Sequence, residues 1–343
     1  MLYRAILALR HLFYDKGWKK VHTASVPTIC VGNITVGGTG KTPHTELILR
    51  KLLESDAWAY RNLAVLSRGY KRRSKGFQRV PWDGSATLYG DEPAQMAHKF
   101  PVVSVAVDKN RVRGCGKLCS EEPKADLIVL DDAFQYRKLS ATLTIVLVDY
   151  NRPVNKDHLM PWGRLRDLPS RLRKADAVIL TKCPAYLDDW EKSQWRKALS
   201  LEPRQKLFFT TLTYTAPEPV FPQADARFTY AQRLVLVSGI ANDAPLRSHL
   251  SDTYKIVRRL GFPDHHRYSN GDMRKLSAAV KENPTACLMT TEKDAQRMRD
   301  VKKVSDAVRQ RLFYIPVQAT FLSPEEDAAF SDFLLGGVGM PEI

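Results

Sequence analysis

Apolar residues fall along the chain in two rhythms. The first segment, MLYRAILALRHLFYDKGWKK, repeats at helical spacing, with Leu2, Ile6, Leu9 and Phe13 on one broad face and Arg4, His11, Lys19 and Lys20 among the polar positions. Such a helix either packs on the body of the protein or lies on a membrane surface, since both fates need an amphipathic face. After Pro27 short β-branched runs take over: VPTICVG, NLAVLSRG, PVVSVAV, ADLIVLDD, TIVLVDY and DAVILTK. The stretches between them are long enough for crossover helices, which predicts an α/β fold with a mostly parallel sheet covered on both faces. Residues 184–204, with Trp190 and Trp195, predict another amphipathic helix, and KLFFTTLTYT reads as an extended crossover between domains. A second series, QRLVLVSGI, DTYKIVRRL, PTACLMTTEKD and RLFYIPV, predicts a second, smaller α/β domain. The reading is two domains, 1–207 and 208–343 with an approximate boundary, facing each other across a cleft.

Composition narrows the classes. A chain of 343 residues buries a sizeable core without disulfides, and its five cysteines (Cys30, Cys115, Cys119, Cys183, Cys287) show no paired spacing, which fits a reducing compartment rather than a disulfide framework or a zinc site. No apolar stretch approaches the roughly 18 to 20 residues of a membrane span, and the run from Ala5 to Leu9 is closed by Arg4 and Arg10, so neither a span nor an ordinary secretory signal is expected. The formal net charge of +16 favours an anionic partner: nucleic acid, a phospholipid surface or a phosphorylated substrate. No helix-turn-helix, zinc finger or aromatic RNA-binding signature accompanies that charge.

The strongest local signal is VGNITVGGTGKTP, Val31 to Pro43. A predicted strand precedes it and an apolar helix follows, which is the setting of a P-loop in which Gly37, Gly38, Thr39 and Gly40 cradle phosphates, Lys41 reaches the β/γ-phosphates and the Thr42 hydroxyl joins a magnesium shell. Thr35 stands where the first glycine of such a loop is usual. ADLIVLDDAFQYR ends a second apolar strand at Asp131 and Asp132, where an open α/β sheet presents side chains to its ligand. Asp132 is read as the magnesium-linked carboxylate and Asp131 as its electrostatic partner; capping of the next helix is the alternative. Three further stretches carry chemistry. LSRGYKRR, around Arg68 and Tyr70, is basic enough to meet an anionic acceptor or to be a solvated charge run. In GDEP, Asp91 or Glu92 either caps a helix or accepts a proton from a nucleophilic hydroxyl. In FPDHHRYS, Asp264 and His265 form an acid–imidazole pair able to serve a catalytic carboxylate if the second domain faces the P-loop.

The ordered set VGNITVGGTGKTP, LSRGYKRR, GDEP, LDDAFQYR, PWGRLRD, SGIANDAP, FPDHHRYS and TTEKD, spread over nearly the whole chain, resembles the tetraacyldisaccharide 4'-kinases of lipid A synthesis. The resemblance implies transfer of the ATP γ-phosphate, with Mg2+, to the 4'-hydroxyl of a tetraacylated glucosamine disaccharide 1-phosphate, forming lipid IVA. It also implies peripheral attachment, through the first helix, to the anionic cytoplasmic face of a Gram-negative inner membrane; no nucleic acid and no obligate protein partner are expected. It places the acceptor-activating carboxylate at Asp91, with His265 as its acid–base and orienting partner and Asp264 orienting His265. Thr42 and Asp132 fall in the nucleotide–magnesium site, with Asp131 and Glu92 nearby and Gln135 in the loop beyond the acidic strand. Tyr70 and Arg166 fall on the lipid side, and Asp167 supports that arginine. Two positions depart from the family pattern: Tyr136 replaces the usual His and Asp167 the usual Glu. The competing readings are a soluble P-loop ATPase or kinase acting on another phosphorylated acceptor, and an NTP-driven nucleic-acid-binding protein.

Overall fold

The computed structural model describes residues 2–339. Its centre is a nine-stranded sheet. From one edge to the other the strands run Val317–Phe321, Lys206–Tyr214, Ala177–Thr181, Leu143–Asp149, Thr28–Asn33, Leu127–Asp131, Leu63–Ser67, Ser104–Val107 and Gln78–Arg79. All neighbours are parallel except the two edge strands, which pair antiparallel. Burial on both faces explains why these strands read as unbroken apolar runs: all six residues of Thr28–Asn33 are buried. Ile29 and Val31 point into one core with Ile48, Leu49 and Leu52 of the helix Lys41–Glu54, while Cys30 points into the other with Cys115 and Leu118 of the helix Arg111–Ser120.

A five-stranded sheet forms the smaller domain, in the order Glu218–Pro219, Leu312–Ile315, Cys287–Thr291, Arg233–Ser238, Lys255–Gly261. Its strands all lie between 218 and 315, and this changes the expected division at 207. KLFFTTLTYT is no free crossover: Lys206–Tyr214 pairs parallel with Ala177–Thr181 inside the large sheet. The chain then builds the small domain and returns, and Val317–Phe321 closes the large sheet antiparallel to the strand it left by, with Tyr214 opposite Val317. The two chain crossings are thus neighbours. The reason is apolar: the closing helix Pro324–Val338 has Phe330, Leu334 and Val338 to bury, and they complete the first domain's core. Phe330 is fully buried and meets Phe208 edge to face at 5.1 Å. Phe330→Ala is expected to destabilise the large domain by about 3–5 kcal/mol, seen as a lower midpoint in chemical denaturation; an unchanged midpoint would mean that the last helix does not support this core.

The first helix, Leu2–Asp15, packs with its less apolar side inward. Leu7, His11 and Tyr14 are buried, whereas Leu2, Ile6, Leu9 and Leu12 are exposed, as is Trp18 just beyond it. It is held by polar contacts: Tyr3 donates to the Arg166 carbonyl at 3.0 Å, Arg10 to the Gln135 carbonyl at 2.7 Å, and Arg137 pairs with Asp15 at 2.8 Å. Both fates expected for an amphipathic helix are therefore compatible here, since one face docks and the apolar face stays outside.

Candidate active site

The central strand Thr28–Asn33 delivers the loop 34–40 to the carboxyl end of the sheet, where open α/β folds bind ligands. Gly37 (φ 110°) and Gly40 (φ 84°) take left-handed conformations that favour glycine, whereas Thr35 does not. Thr35 instead forms a β-bridge with Leu165, so a side chain is tolerated where P-loops commonly have glycine. The loop is braced from beneath. Asn33 Nδ2 donates to Thr39 Oγ1 at 2.7 Å, Thr181 Oγ1 to the Thr39 carbonyl at 3.0 Å, and Lys182 Nζ, paired with Asp149 at 2.6 Å, donates to the Gly38 carbonyl. Behind it His44 bridges the Gly40 carbonyl (2.7 Å) and Thr210 Oγ1 (2.8 Å); full burial lowers its pKa to about 4, so it is neutral in this bridge. Lys41 and Thr42 then open the helix Lys41–Glu54, with Lys41 Nζ 3.8 Å from Asp132.

Asp131 and Asp132, adjacent in sequence, have opposite electrostatics. Asp131 is buried, accepts from Ser67 Oγ at 3.0 Å and leaves Oδ1 without a partner. Burial, then the charges of Glu92 and Asp132, push its carboxyl up to about 7. Asp132, at φ 48°, is gripped on both oxygens by the Arg166 guanidinium. Burial alone would raise its pKa, but Lys41, Arg166 and Arg111 together hold it below the usual range. Arg166 also donates to Asn33 Oδ1, and Gln135 Nε2 donates to the Asn33 carbonyl, so both residues frame the phosphate loop. Asp167 does not hold Arg166 as expected. Its Oδ1 accepts from His11 Nε2 at 2.6 Å, both residues being buried, so it clamps the first helix to the body. Tyr136 donates to Asn110 Oδ1 at 3.1 Å, a packing role away from the loop.

Opposite this wall stands the helix Asp91–Lys99, entered through Gly90 at φ 101°, whose Cα faces the Gly69 backbone too closely for a side chain to fit freely. Its first turn carries Asp91 and Glu92, which suits the positive end of the helix dipole. Small-domain side chains reach it from across the cleft. His265 Nδ1 lies 3.2 Å from Asp91 Oδ2, and Arg297 donates to the same oxygen through Nε at 2.8 Å and through Nη2. All these contacts use Oδ2. Burial would raise the Asp91 carboxyl, but the hydrogen bonds and charges of His265 and Arg297 outweigh it and bring the pKa to about 2. Glu92 pairs with Lys293 at 2.6 Å; Lys293, then Lys41, hold it below its usual range against burial. Asp264 lies 3.9 Å from Nε2 of His265, and Tyr70 sits edge-on to the same ring at 5.7 Å.

The structure therefore gathers Lys41, Thr42, Asp131, Asp132, Gln135 and Arg166 on one wall and Asp91, Glu92, His265 and Asp264 on the other. Arg297 is the residue that sequence reading missed: it lies three positions beyond TTEKD, in an apparently ordinary helix, Glu292–Arg299. Also missed is the buried Glu46, which pairs with Lys99 at 2.7 Å while Lys99 reaches Glu292 of the small domain at 3.0 Å. Burial and then Glu46 push the Glu292 carboxyl up to about 7. A buried carboxylate on the P-loop helix is thus linked through one lysine to the second domain.

Among the described residues no helix is long and apolar enough to cross a membrane. Residues 1–336 match the family described as tetraacyldisaccharide-1-P 4'-kinase, LpxK. The tetraacyldisaccharide 4'-kinase of Phocaeicola vulgatus is 38% identical over 327 residues, covering 93% of this chain and 88% of that protein. That of Parabacteroides distasonis is 39% identical, covering 95% and 89%. The fold matches the crystal structure of the "apo" form of LpxK from Aquifex aeolicus in complex with ATP, with a TM-score of 0.74 and 27% identity over 97% of this chain and 95% of that one. On both sequence and fold, this chain belongs to the tetraacyldisaccharide 4'-kinase family.

Proposed function

We propose that the family's reaction, transfer of the ATP γ-phosphate to the 4'-hydroxyl of tetraacyldisaccharide 1-phosphate to form lipid IVA, runs in the cleft between the loop 34–42 and Asp91. One observation carries this reading: Asp91 stands across from the phosphate loop with Oδ2 fully engaged by His265 and Arg297, leaving Oδ1 to face an acceptor. A sugar hydroxyl must be oriented and relieved of its proton as the bond to phosphorus forms. Asp91 Oδ1 accepts that hydroxyl's hydrogen bond. At a pKa of about 2 the carboxylate is ionised but weakly basic, so its main work is to orient the hydroxyl and accept its proton on Oδ1 as the bond to phosphorus forms and ADP leaves, while His265 and Arg297 hold the carboxylate by the other oxygen. Asp264 lies 3.9 Å from the far nitrogen of that ring and orients it.

Lys41 and Arg166 supply positive charge to the transferring phosphate, Arg166 with the fork geometry suited to phosphate oxygens. Gly37, Gly38, Thr39 and Gly40 form the phosphate cradle. The donor set fits magnesium: Thr42 at the helix start, and a buried Asp131 oxygen, Oδ1, that has no hydrogen-bond partner among the described residues. Asp131 is accordingly placed beside Thr42 and Asp132 as a magnesium residue. Magnesium held by these residues would supply positive charge against the charge developing on the transferring phosphate. The small domain, 218–315, carries His265, Lys293 and Arg297, and it closes the cleft by pivoting on the paired connectors at Tyr214 and Val317.

The lipid acceptor is met at the cytoplasmic face of the inner membrane by the outward face of the first helix, together with Tyr70 and the basic stretch around it. The exposed Leu2, Ile6, Leu9 and Trp18 and the net charge of +16 support that placement. Ile6→Asp combined with Leu9→Asp, both at outward positions, is expected to cut sedimentation with anionic vesicles severalfold while leaving the melting temperature unchanged. Equal sedimentation would detach the helix from this role.

The reaction itself is tested by following γ-labelled ATP into tetraacyldisaccharide 1-phosphate in mixed micelles, with and without magnesium, and mapping the label. Magnesium-dependent labelling at the 4'-hydroxyl is the expected result. Turnover of ATP with no label in the lipid would move the search to another acceptor.

A further inference from the structure

A cavity of about 350 Å3 opens away from the cleft, at the low end of the roughly 300–1,000 Å3 of small-molecule sites. None of Lys41, Thr42, Asp91, Asp131, Asp132 or His265 lines it. Cys30, Leu130 and Thr144 of the large sheet line it, as does Asp15 at the end of the first helix. Its walls bring together Arg137, Arg171 and Lys174. Arg171 is the informative one. It is only 8% exposed, it stacks on Phe134 at 5.3 Å, and its Nε has no hydrogen-bond partner among the described residues. Burial and then the neighbouring Arg137 disfavour its charge, whereas the nearby Asp167 and Asp15 favour it. None of the carboxylates around it bonds it: Asp167 is bound by His11 at 2.6 Å, Asp15 by Arg137 within the cavity at 2.8 Å, and Asp176 by the Thr144 amide at 2.8 Å with Arg204 at 3.7 Å. A buried guanidinium that makes no hydrogen bond is costly, and a phosphate oxyanion is the ligand its fork fits best.

We propose that this cavity is a second phosphate-recognition site, separate from the phosphate loop, in which Arg171 with Lys174 and Arg137 binds a phosphate ester. Two sources share that chemistry. The helix whose apolar face is outward contributes Asp15 to the lining, so the ester is either the headgroup of an anionic phospholipid or a soluble metabolite. The inference does not depend on the acceptor assigned to the cleft.

The test uses the full chain with its phosphate loop saturated by a non-hydrolysable ATP analogue and magnesium, and titrates inorganic phosphate by calorimetry. One phosphate site is expected, weakened about tenfold or more by Arg171→Gln and by Lys174→Gln, as for loss of a charged hydrogen bond. Arg173→Gln, exposed and outside the cavity lining, should leave it unchanged. Lys174 is exposed, so its variant reports on the site even if Arg171→Gln fails to fold. No phosphate binding beside the ATP analogue, or equal binding in Lys174→Gln and wild type, would overturn the proposal. Sedimentation with phosphatidylcholine vesicles, with and without phosphatidylglycerol, separates the sources. A phosphatidylglycerol-dependent fraction lost in Lys174→Gln but kept in Arg173→Gln assigns the lipid headgroup; phosphate binding with no such difference assigns a soluble ester.

Discussion

Asp91→Asn is expected to lower kcat by about 10²–10⁴-fold while changing the KM for ATP little. The substitution keeps the shape of the side chain and removes its charge, so it separates placement from proton acceptance. The residues proposed to hold the nucleotide, Lys41 and Thr42, lie on the other wall and are untouched. The same change has a stability signature whose sign follows from the depressed pKa. Asp91 titrates near 3.8 in the unfolded chain and at about 2 in the folded one, so its ionised form stabilises the fold by roughly 2 kcal/mol. That contribution is fully present above pH 4 and is lost as pH falls through about 2. Denaturation of wild type and Asp91→Asn should therefore differ by a constant amount from pH 7 down to about pH 4, and the two should converge below it. A gap that widened on acidification would contradict the clasp between Asp91, His265 and Arg297. Retention of full kcat would remove Asp91 from the chemistry.

Features written in consecutive residues were legible before any coordinates. The phosphate loop, the acidic strand end at Asp131 and Asp132, and the GDEP turn each place their chemistry within a few positions of a strand or helix boundary, where local rules apply. The pairing of Asp91 with His265 was readable only through resemblance to a known family, because 174 positions separate the two. What escaped was decided by distant partners. Residues Lys206–Tyr214 read correctly as extended, but nothing in them says that Val317–Phe321 will return to pair with them; the apolar face of Pro324–Val338 makes that choice. Asp167 was assigned to the arginine beside it in sequence, yet Arg166 turns to Asp132 and His11 takes Asp167 from the first helix. The partners of Asp131 and Asp132 were likewise beyond local reading: Arg166 arrives from another loop and grips the second carboxylate, while Ser67 from a neighbouring strand bonds the first. Thr35 is the converse case: it looked like a defect in the motif, and its bridge to Leu165 makes the glycine unnecessary.

Arg297→Leu is expected to reduce kcat by on the order of 10²-fold and to add to the pH–rate profile an acid limb from Asp91 titration that wild type lacks. Arg297 is buried in the small domain, where it donates to Asp294 at 2.9 Å and to the Gly239 carbonyl at 3.1 Å before reaching Asp91 at 2.8 Å. In the proposed reaction it is a positioning residue: it holds Oδ2 of Asp91 from across the cleft and leaves Oδ1 for the acceptor. Without its charge, burial acts on Asp91 against His265 alone, and the carboxyl pKa rises from about 2 toward the range where activity is measured. Activity should then fall at mildly acidic pH, where wild type is insensitive to Asp91 titration. Stability falls too, because Asp294 loses its cation, so the melting temperature by itself cannot distinguish a structural from a catalytic effect. The pH profile does. Arg297→Lys, which keeps the charge but not the fork, should move the acid limb back toward wild type while recovering only part of kcat. If both variants lowered the melting temperature but kept the wild-type profile and kcat, Arg297 would serve only to hold the two domains together.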